Sequence, residues 1–243
     1  MSAGHQGPLR LVCFGDADGQ VWGSAIDAGE PAIVICTPAG SACAAGARVQ
    51  IRDQADGWEV SGAGIELVVT PTAPTGEPAI ERGGAELCQV RGTVTADGTG
   101  REVSCAGMRS SDPQADLGRL GSLRALSGWF DDEHALALCA LRPSGATDHE
   151  HDMLTATVFD PGERIAVVEP RLSTTFGPGE QPVRASLELW IGDEEEQYPR
   201  RAAAEAVAPP ASIQSERVRL SVTPLRCHSG GRDGAGVYLI AHI

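Results

Sequence analysis

Leu9-Arg10-Leu11-Val12-Cys13-Phe14-Gly15-Asp16 is echoed by Leu123-Arg124-Ala125-Leu126-Ser127-Gly128-Trp129-Phe130-Asp131. Later in each half a β-type run closes on Val-Thr-Pro, at Ile65 to Pro71 and again at Val218 to Pro224. A repeat of this kind points to two similar β-units in tandem, with a groove where they meet. Outward from the pair, apolar residues keep alternating with polar ones. In Val183-Arg-Ala-Ser-Leu-Glu-Leu-Trp-Ile191, Val183, Ala185, Leu187, Leu189 and Ile191 fall on one face of a strand. Arg184, Ser186, Glu188 and Trp190 fall on the other. Shorter runs repeat the pattern at Val49 and Ile51, at Ile65, Leu67 and Val69, at Cys88, Val90, Val94 and Ala96, at Leu154, Ala156 and Val158, and at Val218, Leu220 and Val222.

The punctuation fits short strands. Ala96-Asp97-Gly98-Thr99 is a hairpin signal, because Asp-Gly tolerates the positive φ of a tight primed turn. Asp53 to Gly57, Asp131 to Glu133 and Asp160 to Glu163 read as further turns. Helical stripes are lacking; Pro113 to Gly121 and the Ala-rich Pro199 to Val207 are the nearest candidates, and the second fits a strand equally well. The expectation is an all-β protein of antiparallel strands, with an N-terminal β-domain over residues 1–112 and a C-terminal one over 113–243. The polar stretch Ser110 to Gly121 holds the seam. The greater length of the second half is expected in the loops Glu169 to Pro182 and Gly192 to Pro199.

Composition narrows the function. A formal charge of −14 on 243 residues repels phosphate backbones and argues against nucleic acid as a partner. Every basic residue among the 19 is Arg, so a Schiff-base lysine and a Walker lysine are excluded; the absence of Asn excludes N-glycosylation. The 7 cysteines are scattered through apolar runs without a CxxC pair, which suggests reduced core thiols rather than a disulfide framework or a zinc ribbon. The start lacks the basic and apolar regions of a secretory signal, and no apolar run reaches a membrane span. A cytoplasmic location is expected.

Val90-Arg91-Gly92-Thr93-Val94, the Asp97-Gly98 turn, Val103-Ser-Cys-Ala-Gly107-Met-Arg109 and Trp129-Phe130-Asp131-Asp132 resemble the junction region of the AttH/carotenoid 1,2-hydratase-like (hydroxyneurosporene synthase-like) proteins. In detail the resemblance covers residues 86 to 142. It implies two tandem antiparallel lipocalin-like (calycin) β-barrel or sandwich domains. It also implies hydration, cyclisation or isomerisation of apolar polyene or terpenoid-like substrates. One departure stands out. Many relatives follow the Gly-x-Arg step with Asp-His-Ser-Trp-Gly, whereas here Gly107-Met108-Arg109 runs into Ser110-Ser111-Asp112-Pro113. Fold similarity does not transfer a reaction.

Three constellations carry candidate chemistry. In Asp148-His149-Glu150-His151-Asp152, an extended backbone puts His149 and His151 on one side, where they can ligate a metal or shuttle a proton, or simply belong to a solvated acidic loop. Arg124, Trp129, Asp131, Asp132 and His134 open the second half, either facing a shared cleft or forming an ordinary hairpin. Glu169 and Arg171, two apart on a strand, can line a barrel interior where a carboxyl acts as general acid, or can sit on an exposed edge. Ser229 to Gly236 is glycine-rich but precedes a strand, so it is a hairpin connection and not a phosphate loop.

The reading is a binding protein for a small apolar, lipid- or terpenoid-like ligand, with or without cofactor-free proton-transfer chemistry. His149, His151, Glu169 and Arg171 are the acid/base and orienting candidates; Arg124, Trp129 and Trp190 are the ligand-binding candidates. No cofactor and no metal are expected. The competing readings are a non-catalytic structural or interaction protein that keeps the fold without an active site and, more weakly, a carbohydrate-binding sandwich.

Overall fold

The computed structural model describes residues 8–18, 20–72, 84–113, 115–192 and 199–243. Part of the loop between Gly192 and Pro199, part of the Ser110 to Gly121 link and the first seven positions therefore lie outside the described residues. Nine strands form the first sheet: β1 (Leu9–Asp16), β2 (Val21–Ala28), β3 (Pro31–Thr37), β4 (Gly40–Ala45), β5 (Gln50–Gln54), β6 (Gly57–Gly62), β7 (Ile65–Pro71), β8 (Ala85–Ala96) and β9 (Thr99–Asp112). Ten form the second: β10 (Leu120–Trp129), β11 (Ala135–Pro143), β12 (Met153–Asp160), β13 (Glu163–Ala166), β14 (Glu169–Phe176), β15 (Pro182–Trp190), β16 (Arg200–Ala206), β17 (Ala211–Gln214), β18 (Arg219–Ser229) and β19 (Arg232–His242). Every pairing is antiparallel, and each sheet curls into a half-barrel.

The two strand orders superimpose. The first sheet runs β4-β3-β2-β1-β9-β8-β7-β6-β5 and the second β13-β12-β11-β10-β19-β18-β16-β15-β14, with β17 added beside β18. The echoed openings, β1 and β10, therefore hold the same fourth place. The second echo does not correspond. Val69-Thr70-Pro71 closes β7, whereas Val222-Thr223-Pro224 lies on β18, whose counterpart by position is β8. That match is coincidental.

The openings look alike because both are covered on two sides. Leu9, Leu11 and Cys13 of β1 and Leu123, Ala125 and Trp129 of β10 face a core shared between the halves. Val12 and Phe14 face the interior of the first half-barrel, and Leu126 faces that of the second. Strands buried on both faces read as near-continuous apolar runs rather than alternating ones. At the seam Gly15 is required: a Cβ there would meet Trp22 Cδ1 at 2.7 Å and Trp129 Cζ3 at 3.4 Å.

Both interiors are filled by side chains. Ile33, Ile35 and Val60 in the first half, and Leu126 and Tyr238 in the second, have no exposed surface. The Tyr238 hydroxyl meets Thr174 Oγ1 at 3.0 Å inside the second.

Local expectations divide. Asp97 (φ 50°) and Gly98 (φ 74°) make the primed hairpin turn between Ala96 and Thr99. The alternation of β15 holds for Ala185, Leu187 and Leu189, but Val183 is exposed. A register shift pairs Phe176 with Pro182 and Thr175 with Arg184, so Val183 sits in a bulge and loses its phase. Pro199 to Val207 is mostly strand β16, and Leu117–Arg119 is the single helical turn described in the link.

Candidate functional site

The nominated residues fall into separate places. His149 and His151 lie in a 3₁₀ turn, His149–His151, between β11 and β12. The Asp148 side chain caps that turn by accepting from Glu150 N at 3.2 Å. The backbone is therefore not extended there, and the two imidazoles do not share a side. His151 Nδ1 meets Asp148 Oδ1 at 2.7 Å, and both rings are about two-thirds exposed.

His149 touches a better-built group. Asp152, 1% exposed, accepts from Arg142 Nε at 2.6 Å and from Arg124 Nη2. His149 Nδ1 contacts both Arg142 Nη2 and Asp152. Burial pushes the Asp152 carboxyl up, but the donations from Arg142 and Arg124 outweigh it and hold it at about 2. Arg124 is thus a strut joining β10 and β11 to the start of β12.

Glu169 and Arg171 lie on β14, at the edge of the second sheet, with Oε1–Nε at 2.8 Å and both side chains 58% exposed. The Arg171 guanidinium stands 5.9 Å from the Trp190 ring. Trp129 is buried in the seam near Trp22, and no partner is described for either indole nitrogen. The structure therefore brings Arg124 to His149 and Arg171 to Glu169 and Trp190. No described hydrogen bond or ion pair links these groups into one site.

After the Gly107-Met108-Arg109 step, β9 continues to Asp112. Arg109 there binds Glu86 at 2.7 Å and stacks on Trp58 at 5.1 Å. The thiols are poor nucleophiles: burial pushes Cys13 up to about 11 and Cys36, Cys105, Cys139 and Cys227 up to about 12. Among the described residues no group of three His, Cys, Asp or Glu side chains is placed to hold a metal ion.

Two small cavities lie against the core. One, of about 20 Å³, sits between the halves against Leu11, Cys13, Met108, Ser127 and Cys139. The other, of about 50 Å³, opens at the end of the second half-barrel. Phe130, Leu136, Val158, Phe159 and Leu189 line it with apolar surface; His134, Asp160, Arg200, Arg201 and Arg232 supply its charges.

The turn before β11 builds one wall of this recess. Asp131 Oδ1 accepts from Glu133 N at 2.9 Å and from His134 N at 2.7 Å, which closes the turn. The same carboxylate takes His134 Nδ1 at 2.8 Å. Burial raises the Asp131 carboxyl, and these donations bring it below the usual aspartate value. Arg200 Nη2 meets Asp160 Oδ2 at 2.6 Å, and that guanidinium holds Asp160 low as well. Arg232 Nε reaches Asp131 Oδ2 at 3.5 Å, and Arg201 Nε pairs with Glu188 at 3.2 Å. Asp131 and His134 were legible as a pair three apart. Arg200, Arg201 and Arg232 were not, since the pairing of β10 with β19 brings the β18–β19 hairpin to that turn and the curl of the sheet brings β16.

No family model matches the sequence, and no curated protein matches it significantly. The fold does have a solved counterpart. The crystal structure of a protein described as a putative AttH, from Nitrosomonas europaea, superimposes with a TM-score of 0.65 at 12% identity, covering 98% of this chain and 92% of that one. Identity so low carries the fold and no function. The chain has the AttH-like, tandem lipocalin-like fold.

Proposed function

We propose that the chain binds a small, partly apolar ligand at the mouth of its second half-barrel. The observation that carries this reading is the recess itself, an apolar floor of Phe130, Leu136, Phe159 and Leu189 beneath a rim of charged groups. The packed interiors argue against a polyene-length ligand housed inside either half-barrel, because Ile35, Val60, Leu126 and Tyr238 already fill that space. The seam cavity of about 20 Å³ has room for about one water.

Binding without catalysis is favoured over the hydratase-type chemistry suggested by the resemblance, since the acid/base candidates lie outside the recess. The test is calorimetric titration with pentanol and pentanoate against wild type and Val158→Leu, a substitution that adds volume to a side chain lining the recess. Saturable heat with at least one probe, lost in the variant, is expected. Absence of saturable heat with both probes would overturn the reading.

A further inference from the structure

The second sheet ends on a strand whose free side is only half defended. β14 has 8 residues, is the last strand of its sheet and pairs with β15 alone. A free edge offers a row of main-chain N–H and C=O groups to any chain that can lie beside it, and proteins blunt such edges with proline, charge or a covering element. The other outer strands are blunted. Arg10 Nη1 donates to the Ile51 carbonyl of β5 at 3.0 Å, and Arg10 also pairs with Asp53 of that strand. β4 lies against β17. β13 has only 4 residues and carries Glu163 and Arg164.

On β14 the defence stops at Arg171. Pro170 removes one donor, and Glu169 and Arg171 set charges on either side of it. β12 flanks the same end. Val167 N donates to Ala156 O, and the chain then passes to β15 at Val168, whose N–H donates to Trp190 O. The β12–β13 register pairs Thr157 with Ala166, so Met153, the first residue of β12, reaches no further than the level of Pro170. Leu172-Ser173-Thr174-Thr175-Phe176 runs on beyond β12, uncharged and with no described ladder partner besides β15. It ends where Gly177 N closes a turn onto Gln181 O. Phe176 is 40% exposed, and Val183, in the bulge across from it, is 38% exposed.

This stretch is complementary to itself. Main-chain groups reach the free side of a strand at every second residue, so a two-fold antiparallel pair of identical strands must centre on a residue. Centred on Thr174, Leu172 lies opposite the partner's Phe176, and Ser173 lies opposite the partner's Thr175. Alternation puts the Leu–Phe and Thr–Thr pairs on one face and the Ser–Thr pairs on the other, and apolar and hydroxyl cross-strand pairs of these kinds are stabilising. A centre at Ser173 would set Pro170 against Phe176 and Arg171 against Thr175. A centre at Thr175 would set Leu172 against Pro178, in the turn.

We infer that β14 is a dimerisation strand, residues 172–176 pairing in antiparallel register with the same residues of a second copy about a two-fold axis at Thr174. One strand pair makes a small interface, below the about 1,200 Å² of stable complexes, so association is weak and depends on concentration. None of residues 172–176 lines the recess, so dimerisation and ligand binding are separate properties.

The experiment is sedimentation velocity of the full chain from about 1 μM to about 1 mM, the range of weak association. A monomer–dimer equilibrium is expected within it. In Ser173→Lys/Thr175→Lys each lysine faces a lysine of the partner copy, and dimerisation is expected to weaken about tenfold or more, because like charges directly opposite are destabilising. Ser173→Glu/Thr175→Glu is expected to behave alike. Mixing the two variants is expected to give a heterodimer, since each lysine then faces a glutamate. In the wild type, hydrogen exchange at the amides of 172–176 that point away from β15 is expected to slow as the dimer forms.

A wild type that stays monomeric throughout the range would overturn the inference. So would a dimer whose 172–176 amides stay unprotected, or one indifferent to both charge pairs. Folded, monomeric charge variants that fail to associate on mixing would overturn it as well. Exchange on the wild type keeps the test decisive if a variant folds poorly.

Discussion

Replacing Asp152 by Asn tests the most deeply buried ion pair described in the molecule. Its carboxylate, 1% exposed, holds Arg142 by two hydrogen bonds at 2.6 and 3.1 Å and Arg124 by a third. In the folded state its pKa falls from 3.8 to about 2. At about 1.4 kcal/mol per unit, that depression corresponds to roughly 2 kcal/mol of stability at neutral pH. Asn keeps the shape and loses the charge, leaving two largely buried guanidiniums without an anion. Removing one partner from a fully buried pair costs about 3–5 kcal/mol. Here Arg124 and Arg142 keep 15% and 20% exposure, so a loss of about 2–3 kcal/mol is expected.

The assay is urea unfolding of wild type and Asp152→Asn, with unchanged m-values as the sign that only stability moved. The sign with pH follows from the depressed pKa. The Asp152 contribution is complete above about pH 4, is about half lost by pH 3, and vanishes below about pH 2. The gap between the two proteins narrows accordingly on acidification. A gap at neutral pH below about 0.5 kcal/mol, the size of an ordinary surface substitution, or one that widens on acidification, would refute the reasoning.

Other expectations follow from single positions. Gly98→Ala should cost about 1 kcal/mol in urea unfolding, because φ is 74° there while no atom lies within 4 Å of an added Cβ, so the cost is conformational alone. Gly15→Ala should cost about 1–3 kcal/mol by overpacking, since its Cβ would press on Trp22 at 2.7 Å in the seam; altered tryptophan fluorescence would accompany it. Native protein at mildly alkaline pH should react with a disulfide reagent chiefly at half-buried Cys43, with buried Cys13, Cys36, Cys88, Cys105 and Cys227 blocked until unfolding. Mass mapping of rapid label onto Cys88 or Cys227 would contradict their burial.

The parts of the fold legible in the sequence were those set by local chemistry. Asp97-Gly98 encodes its own turn, and the spacing of Cys88, Val90, Val94 and Ala96 marks the buried face of β8, where all four are buried. The echo at Leu9 and Leu123 was informative because the same place in each sheet, covered on both faces, selects the same kind of residues. The Val-Thr-Pro echo misled because the tripeptide closes β7 but lies inside β18, which runs on to Ser229.

The extended backbone expected at His149 and His151 is not found, for a local reason: a capping aspartate at position 148 turns the backbone into a 3₁₀ turn that residue alternation cannot reveal. The recess was hidden for a non-local one. His134 and Arg232 are far apart along the chain, and only the pairing of β10 with both β11 and β19 brings their hairpins together.

The central claim is that a small ligand enters the recess and not the half-barrel interiors. Methyl NMR of Ile-, Leu- and Val-labelled protein titrated with pentanoate tests it most directly. Shifts confined to Leu136, Val158 and Leu189, with Ile33, Ile35, Val60 and Leu126 unmoved, are the expected result. Perturbation centred on Ile33, Ile35, Val60 or Leu126 would place the ligand inside a half-barrel and contradict the account.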